Sequence, residues 1–367
     1  MKSVVSIFGL ALILALGACS RESDPVGNAW STFKGEGLND SKAHYDVFKF
    51  FDNSHGVLAG YTSKNADFTS AANMRVNQFD ALISTTHDGG RTWTEFEIGR
   101  GQVKEINYIN GRYLYLKVVY NDKGIGNHKS AIYESAKLGG VNQTLYEPPA
   151  DWFIKQIRFI SDRKWLATVD VVRHNSPREN IVYTSNAGTT WDVLDDDNFR
   201  SDEYGHFYFE DSVYKIIKDL PKIIRYNIET KENHEIELED GVVVQGHNGF
   251  NVVDGGKLWV VLKDMRGSYL ARLHNNKIQE RIQLPSTASK AYGLVLAFNI
   301  AGNDVNIVKI KHASMIGAPK SFFHSGDYGV TWCEETLPND LFASSFAFKK
   351  NGEVLAYSGS GEFQKRN

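Results

Sequence analysis

The stretch THDGGRTW, residues 86–93, decides the fold of this chain because its pattern occurs three times. TSNAGTTW occupies residues 184–191, and SGDYGVTW occupies residues 325–332. All three follow the pattern Ser/Thr-x-Asp/Asn-x-Gly-x-Thr-Trp. An Asp or Asn side chain accepts backbone N–H bonds inside a tight turn, Gly readily adopts a positive φ, and Thr-Trp is suited to begin a strand. The pattern therefore predicts three β-hairpin turns of one kind.

These stretches resemble Asp boxes, also called bacterial neuraminidase repeats, which are turns of β-propellers. The resemblance implies a structural role, with each tryptophan packed between sheets. Asn186 stands in place of the aspartate in the second stretch, and its carbonyl oxygen can accept the same hydrogen bonds. The residues with this implied structural role are Asp88, Gly90, Thr92, Trp93, Asn186, Gly188, Thr190, Trp191, Asp327, Gly329, Thr331 and Trp332.

A second, weaker repeat has the form apolar strand, polar turn, apolar strand. It occurs at residues 48–60, 106–117, 158–169, 207–218, 251–262, 296–309 and 346–358. The turn markers of these segments lie 44 to 57 residues apart, which is the spacing of one four-stranded propeller blade. The sequence therefore predicts an all-β, seven-bladed β-propeller of four-stranded blades. A six-bladed ring with an extra hairpin is the alternative. The markers are Asn53, Asn110, Ser161, Glu210, Asp254, Gly302 and Lys350.

The two ends of the chain are expected to meet in one blade. After the seventh segment and residues 359–360, only residues 361–367 remain, too few for a complete blade. Near the other end, WSTF at residues 30–33 resembles WTEF at residues 93–96, which follows the first of the three turns. We therefore expect an N-terminal strand to complete the last blade, an arrangement that removes an open sheet edge.

The beginning of the chain has the features of an export signal. Lys2 precedes an apolar run at residues 4–16, which is shorter than the roughly 20 residues of a membrane-spanning helix. LGAC at residues 16–19 resembles the lipobox of bacterial lipoproteins, which implies cleavage before Cys19 and a lipid on its sulfur. Ser20, rather than Asp, follows the cysteine, and this implies the periplasmic side of the outer membrane of a Gram-negative bacterium. An ordinary secretory signal with an incidental cysteine is the alternative.

The expected organisation is a signal peptide at residues 1–18, a lipidated tether at 19–28 and a single propeller domain at 29–367. The chain has two cysteines. If Cys19 carries a lipid, Cys333 has no partner within the chain. We therefore expect a fold without disulfide bonds, with Cys333 as a thiol buried in a strand.

No catalytic motif accompanies this architecture. Asp-box propellers include sialidases, but the chain contains no Arg-Ile-Pro element of the kind that a sialidase site would need. It also lacks Gly-x-Ser-x-Gly, His-x-His and His-Glu-x-x-His, so neither a serine hydrolase nor a zinc site is indicated. The formal net charge of −3 argues against nucleic acid as a partner. We expect no enzymatic activity, no cofactor and no metal.

Loop length indicates a binding face. Long connections between the second and third strands of a blade are expected at residues 62–80, 119–130, 170–180 and 311–320. These connections share one face of the ring, which we name the rim, opposite the three repeated turns. Loops that mix cationic and apolar residues on one face favour binding, with tolerated surface variation as the alternative. The candidate partner-binding residues are Arg75, Phe79, Lys129, Arg173, His174, Arg178, Lys311 and Met315.

These observations favour a non-catalytic protein that binds or sequesters a protein partner through the rim, is monomeric when free, and touches the membrane only through its lipid. The chain resembles small propeller lipoproteins found as immunity proteins, which implies neutralisation of a toxin delivered by type VI secretion. An assembly factor for an envelope complex is one alternative. A glycan-binding or sialidase-like protein is the other, because aromatic side chains can stack on sugars.

Overall fold

The chain forms a ring of antiparallel sheets. The computed structural model describes residues 30–38, 42–63, 79–120, 128–138, 142–173, 176–194, 206–216, 221–245, 250–253, 256–285, 294–310, 320–336, 345–359 and 361–366. These ranges contain 29 β-strands and no helix. The strands form seven sheets, so the prediction of a seven-bladed, all-β propeller is confirmed and the six-bladed alternative is wrong.

The blades follow the order of the chain, except that the N-terminal strand β1 (Trp30–Lys34) belongs to the last one. Blade 1 contains β2 (Ala43–Phe50), β3 (Gly56–Thr62), β4 (Asp80–Thr86) and β5 (Thr94–Arg100). Blade 2 contains β6 (Gln102–Ile109), β7 (Arg112–Val119), β8 (Lys129–Ser135) and β9 (Gln143–Tyr146). Blade 3 contains β10 (Trp152–Phe159), β11 (Trp165–Arg173), β12 (Ser176–Thr184) and β13 (Asp192–Val193). Blade 4 contains β14 (His206–Phe209), β15 (Ser212–Ile216), β16 (Lys222–Asn227) and β17 (Asn233–Glu237).

The other three blades complete the ring. Blade 5 contains β18 (Val243–Val244), β19 (Phe250–Val253), β20 (Lys257–Lys263), β21 (Ser268–His274) and β22 (Lys277–Gln283). Blade 6 contains β23 (Leu294–Ala301), β24 (Asp304–Ile310), β25 (Lys320–Ser325) and β26 (Cys333–Thr336). Blade 7 contains β27 (Ser345–Phe348), β28 (Val354–Gly359) and β29 (Glu362–Arg366), followed outward by β1.

Each predicted hairpin forms the inner part of a blade. The first strands of neighbouring blades contact one another, as β2 does with both β27 and β6, so these strands surround the ring axis. The hydrophobic core lies between blades rather than at the centre of the ring. Between blades 2 and 3, for example, Leu116 and Ile132 pack with Ile154 and Trp165, and all four are fully buried. Alternation of apolar and polar residues along each strand produces these buried faces.

The ends of the chain close the ring as expected. Strand β1 pairs antiparallel with β29, from Trp30 opposite Arg366 to Lys34 opposite Glu362. The indole Nε1 of Trp30 also donates to Glu335 Oε2 at 3.1 Å, and Arg366 donates to the same carboxylate at 2.8–3.1 Å. The last blade is therefore built from both ends of the chain.

Blade 5 departs from the four-strand pattern. Two short segments, β18 and β19, occupy the inner side, and both pair antiparallel with β20. Val244 lies opposite Leu262, whereas Phe250 lies opposite Val260. The innermost position of this blade is thus shared by two segments with residues 245–249 between them in sequence.

The long loop predicted at residues 170–180 is wrong. Strands β11 and β12 pair continuously as far as Arg173 opposite Ser176, leaving only residues 174–175 between them. The β-branched residues Val169, Val171 and Val172 extend the strand. The other three long connections join β3 to β4, β7 to β8 and β24 to β25, and most of their residues lie outside the described ranges.

Candidate functional site

The three repeated stretches are turns between the third and fourth strands of blades 1, 3 and 6; we name them the box turns. In the first, Asp88 Oδ1 accepts the N–H groups of Arg91 and Thr92, both at 3.0 Å, and Oδ2 accepts the Thr92 hydroxyl at 2.7 Å. In the third, Asp327 Oδ1 accepts Thr331 N–H at 2.8 Å, and Oδ2 accepts the Thr331 hydroxyl at 2.6 Å. Each carboxylate thereby organises its turn.

Hydrogen bonding keeps both carboxylates ionised. The side-chain and backbone bonds from Thr331 lower the pKa of Asp327 to about 2. Burial alone would raise the pKa of Asp88, but the bonds from Thr92, Thr86 and Arg91 outweigh it, and the pKa is again about 2. Charge-assisted hydrogen bonds of this kind are stronger than neutral ones.

In the middle box turn the amide of Asn186 takes the place of the carboxylate. Asn186 Oδ1 accepts Thr190 N–H at 2.9 Å, while Nδ2 donates to the Thr190 hydroxyl at 2.9 Å. The threonine hydroxyl reverses its role, since it donates to aspartate in the other two turns. The turn therefore closes with the same partner residue despite the missing charge.

Sequence reasoning missed two features of the box turns. The first residue of each is a hydroxyl that accepts the glycine N–H at 2.7–3.0 Å: Thr86, Thr184 and Ser325. The repeated Ser/Thr at that position was the available signal. In addition, the residue before the repeated glycine of each turn also has a positive φ: Gly89, Ala187 and Tyr328. Two consecutive left-handed residues let the chain reverse over a short span.

A segment that follows β1 joins blade 7 to the first box turn; we name residues 35–37 the seam latch. Glu36 N–H donates to Arg91 O at 2.9 Å, and Trp93 N–H donates to Glu36 O at 2.7 Å. Gly37 has a φ of 89°, and a Cβ atom there would lie 2.1 Å from Trp93 O, so only glycine fits. The indole of Trp93 stacks on Phe363 at 5.4 Å, with the planes 3° apart.

A pocket of about 920 Å³ lies beside this latch, between blades 7 and 1 on the face of the box turns. We name it the seam pocket. Its walls are cross-linked: Gly89 N–H donates to Ser54 O at 2.8 Å, and Asn351 N–H donates to Asn53 Oδ1 at 2.9 Å. It is lined by Ser31, Phe33, Lys34, Glu36, Asn53, Ser54, Asp88, Gly89, Arg91, Thr92, Lys349, Glu353 and Lys365.

Part of the charge in this pocket is internally neutralised. The Lys349 side chain is only 5% exposed; it donates to Gly89 O at 2.9 Å and to Glu353, and its Nζ lies 4.9 Å from the centre of the Phe50 ring. Lys365 Nζ lies 3.1 Å from Glu353 Oε2. Burial would raise the pKa of Glu353, but the bonds from both lysines hold it below its usual value.

The rim carries charges on the inner strands that sequence reasoning did not identify. A β-bulge interrupts β2, β6 and β10 near their rim ends, and the extra residues are Asp46, Lys104 and Lys155. Lys104 Nζ lies 3.2 Å from Asp46 Oδ2. Because bulges redirect side chains, these charges form a partial ring that we name the collar. Their signal in the sequence was a break in the apolar alternation of each strand.

The third position of the collar contains a larger charge cluster. Lys155 Nζ lies 2.5 Å from Glu179 Oε2 and 3.5 Å from Asp170 Oδ1. Burial raises the pKa of Asp170, and Glu179 adds to that effect, while Lys155 opposes it. Asp170 is 5% exposed, so its charge depends on Lys155.

Four of the eight predicted partner-binding residues lie within the described ranges. Lys129 is exposed at the start of β8. Phe79 is 8% exposed and stacks on Tyr61 at 4.3 Å, so it packs within blade 1. Arg173 and Arg178 lie at the rim end of the β11–β12 hairpin. The others lie outside the described ranges: Arg75, His174, Lys311 and Met315.

The expectation of an unpaired, buried thiol at Cys333 is wrong. Cys333 is half-buried in β26 and disulfide-bonded, and the described part of the chain has no free cysteine. The sequence contains one other cysteine, Cys19, which lies outside the described ranges. A cysteine sulfur that carries a lipid cannot also form a disulfide. Lipidation of Cys19 and a bond within the chain to Cys333 therefore exclude each other.

The described residues provide neither a cluster of metal ligands nor a membrane-spanning helix. They contain no group of three or more His, Cys, Asp or Glu side chains arranged to hold a metal ion. They also contain no helix with the length and apolar character needed to cross a bilayer.

No family model and no curated protein sequence matches the chain, whereas solved structures resemble it. YCF48 bound to D1 peptide matches with a TM-score of 0.58 at 13% identity, covering 92% of this chain and 95% of that one. YCF48 from Cyanidioschyzon merolae gives a TM-score of 0.53 at 13% identity and 92% and 98% coverage. The β-propeller domain of the Trilobed protease from Pyrococcus furiosus gives 0.51 at 9% identity and 89% and 98% coverage. At these identities the similarity shows that the chain has a β-propeller fold.

Proposed function

We propose that this chain is a non-catalytic envelope protein that binds a protein partner through its rim. The observation that carries the proposal is the concentration of features on that face. The connections β3–β4, β7–β8 and β24–β25 are the long ones, and the collar charges of blades 1 to 3 lie at the same end of the inner strands. Loops held by a rigid scaffold are the usual place for binding residues.

The nature of the collar supports a protein partner. It contains both lysines and carboxylates, and exposed charges of mixed sign steer and orient a complementary protein surface. YCF48, which has the same fold over most of its length, is known in a structure bound to a D1 peptide. A propeller of this kind can thus hold a polypeptide.

The described aromatic residues give less support to glycan binding. Among them only Tyr108 is exposed, at 36%, and sugar sites need aromatic faces open to the ligand. An assembly factor for an envelope complex is the second candidate, because it needs the same peptide-binding face. Peptidase propeller domains share the fold, so activity is tested directly: the full chain should leave fluorogenic peptides and glycosides uncleaved.

Charge reversal on the rim tests the binding face. Lys129→Glu should slow association with the partner, and the difference from wild type should shrink as salt is added, because exposed charges act mainly on the encounter rate. Lys277→Glu is the matched control, since Lys277 is an exposed lysine at the start of β22, next to a turn on the opposite face. Partners are first captured from envelope extracts by crosslinking and mass spectrometry, and surface plasmon resonance then gives both rate constants. Equal effects of the two variants would contradict the rim assignment.

The concrete form that we propose is immunity to a toxin delivered by type VI secretion. A strain that lacks the chain should be killed by its own parent when the parent's secretion system is active, and should survive when that system is inactivated. Restoring the wild-type gene should restore survival. Killing that does not depend on secretion, or survival of the deletion strain, would contradict the immunity function and leave the assembly role as the better explanation.

A further inference from the structure

We infer that the seam pocket binds a short acidic peptide segment. The pocket lies on the face of the box turns, opposite the rim, so this inference does not depend on the partner-binding role of the rim. Its volume of about 920 Å³ is near the upper end of the range for ligand sites that enclose a compact ligand. A single small anion would leave most of that volume unfilled.

The walls of the pocket are held in place before any ligand arrives. The first turn of blade 1 is bonded to the box turn through Ser54 and Gly89, and to blade 7 through Asn53 and Asn351. The buried Lys349 ties Gly89 to blade 7 as well. Binding to such a site costs little ordering of the protein, which favours affinity.

The charges left over in the pocket favour an anionic ligand. Asp88 is occupied by donors of its own turn, and Glu353 is neutralised by Lys349 and Lys365. Lys34 and Arg91 are both exposed, and neither side chain has an ion pair or hydrogen bond to a described residue.

Glu36 is the one carboxylate of the pocket that remains. It is exposed and is bonded through its backbone to Arg91. Even if its side chain swings to either cation, the other cation stays available. The pocket therefore offers at least one free cationic group and, with Glu36 turned to solvent, two.

The pocket also has an apolar wall, which favours a peptide over a simple anion as the ligand. The ring of Phe33 lines the pocket and stacks on Phe363 at 5.3 Å with the planes 15° apart. This ring is half-buried, so one part of it is fixed by packing and the other part faces the pocket. Carboxylates beside an apolar side chain match this arrangement, and an Asp- or Glu-containing peptide carries both groups.

Affinity selection tests the inference. The full chain is incubated with an equimolar pool of hexapeptides that have Asp or Glu at alternate positions and Leu, Phe, Ala or Gly between them. A second pool has Lys or Arg in place of the acidic residues. Bound peptides are separated by size exclusion and counted by mass spectrometry. We expect retention of the acidic pool over the basic pool, and retention at least about tenfold lower for the double variant Lys34→Gln, Arg91→Gln, a factor that corresponds to 1.4 kcal/mol.

A control double variant and a hydrogen-exchange measurement accompany the selection. Lys277→Gln with Arg266→Gln removes two exposed cations elsewhere and should retain the acidic pool like wild type. Hydrogen exchange with the retained peptides should slow at residues 31–34 and 89–92. Equal retention of both pools, full displacement of acidic peptides by inorganic phosphate, or equal retention by the Lys34 and Arg91 double variant would overturn the inference.

Discussion

Replacement of Asp327 by alanine measures what a box turn contributes to stability. The carboxylate accepts Thr331 N–H at 2.8 Å, the Thr331 hydroxyl at 2.6 Å and the Ser325 hydroxyl at 2.7 Å. A hydrogen bond to a charged group contributes about 1.5–3 kcal/mol, but the turn is half-buried, so water can satisfy part of what the substitution frees. We expect Asp327→Ala to reduce the free energy of unfolding by about 1–3 kcal/mol.

The corresponding change in melting temperature follows from the size of the ring. An unfolding entropy of about 2.1 cal/mol/K per residue gives roughly 0.7 kcal/mol/K for a domain of this length. The melting temperature should therefore fall by about 1–4 °C, as measured by differential scanning calorimetry. Asp327→Asn should lower the melting temperature less than Asp327→Ala, because an amide can close a box turn, as Asn186 does in the middle one. Asp240→Ala, at an exposed turn, is the matched control and should melt like wild type.

Acid sensitivity gives a second readout of the same residue. The folded-state pKa of Asp327 is about 2, below the ordinary 3.8, so the unfolded chain binds the proton more readily. Its contribution to stability is complete above pH 4 and is lost as the pH falls towards 2. Urea denaturation at pH 5 and at pH 3 should show a smaller pH effect for Asp327→Asn than for wild type. An Asp327→Ala protein with wild-type stability at both pH values would refute the structural role of the box turns.

Three further changes have defined outcomes. Gly37→Ala should lower the free energy of unfolding by at least about 2 kcal/mol more than Gly241→Ala, because both glycines have a positive φ but only Gly37 would clash, with Trp93 O; equal losses in calorimetry would contradict the tight fit of the seam latch. Cys19→Ser decides between a lipid and a disulfide bond at Cys19: labelling of wild type but not of the variant by an alkyne fatty acid supports the lipid, whereas an unlabelled wild type, with a Cys333 thiol that reacts with maleimide only in the variant, contradicts lipidation. Phe79→Ala should cost about 3–5 kcal/mol of stability, because the ring is 8% exposed; a variant that melts like wild type but releases its partner faster would restore the residue to the binding face.

The architecture could be predicted from the sequence because a propeller repeats the same structural unit, the blade. Seven hairpins at similar spacing and three box turns each carry the same local information, so an error in one blade is corrected by the others. The match of WSTF at residues 30–33 to WTEF at 93–96 even indicates the closing strand. Turns and strands could be predicted because their hydrogen bonds and their apolar alternation depend on residues that are close in sequence.

The features that could not be predicted are contacts between segments that are distant in sequence. Lys34, Arg91 and Lys365 share a pocket although as many as 331 residues separate them, and no local pattern marks that meeting. The strand extension at 170–180 was missed because Asp170 looks like a loop residue until Lys155 is seen beside it. The sequence predicts Phe79 as a partner-binding residue because its polar neighbours in sequence give no sign that the ring stacks on Tyr61.

The pairing of β1 with β29 sets the order in which the molecule can be completed. A chain that is made or exported N-terminus first presents Trp30 to Lys34 hundreds of residues before their partners, Arg366 to Glu362, exist. Contacts this distant in sequence form slowly because a long loop must close first. Until then the first box turn lacks its seam latch and Trp93 lacks the ring of Phe363. Ring closure is therefore the step at which an unfinished molecule is most exposed to misassociation or proteolysis, and a helper that shields this seam would act late, after the last strand has appeared.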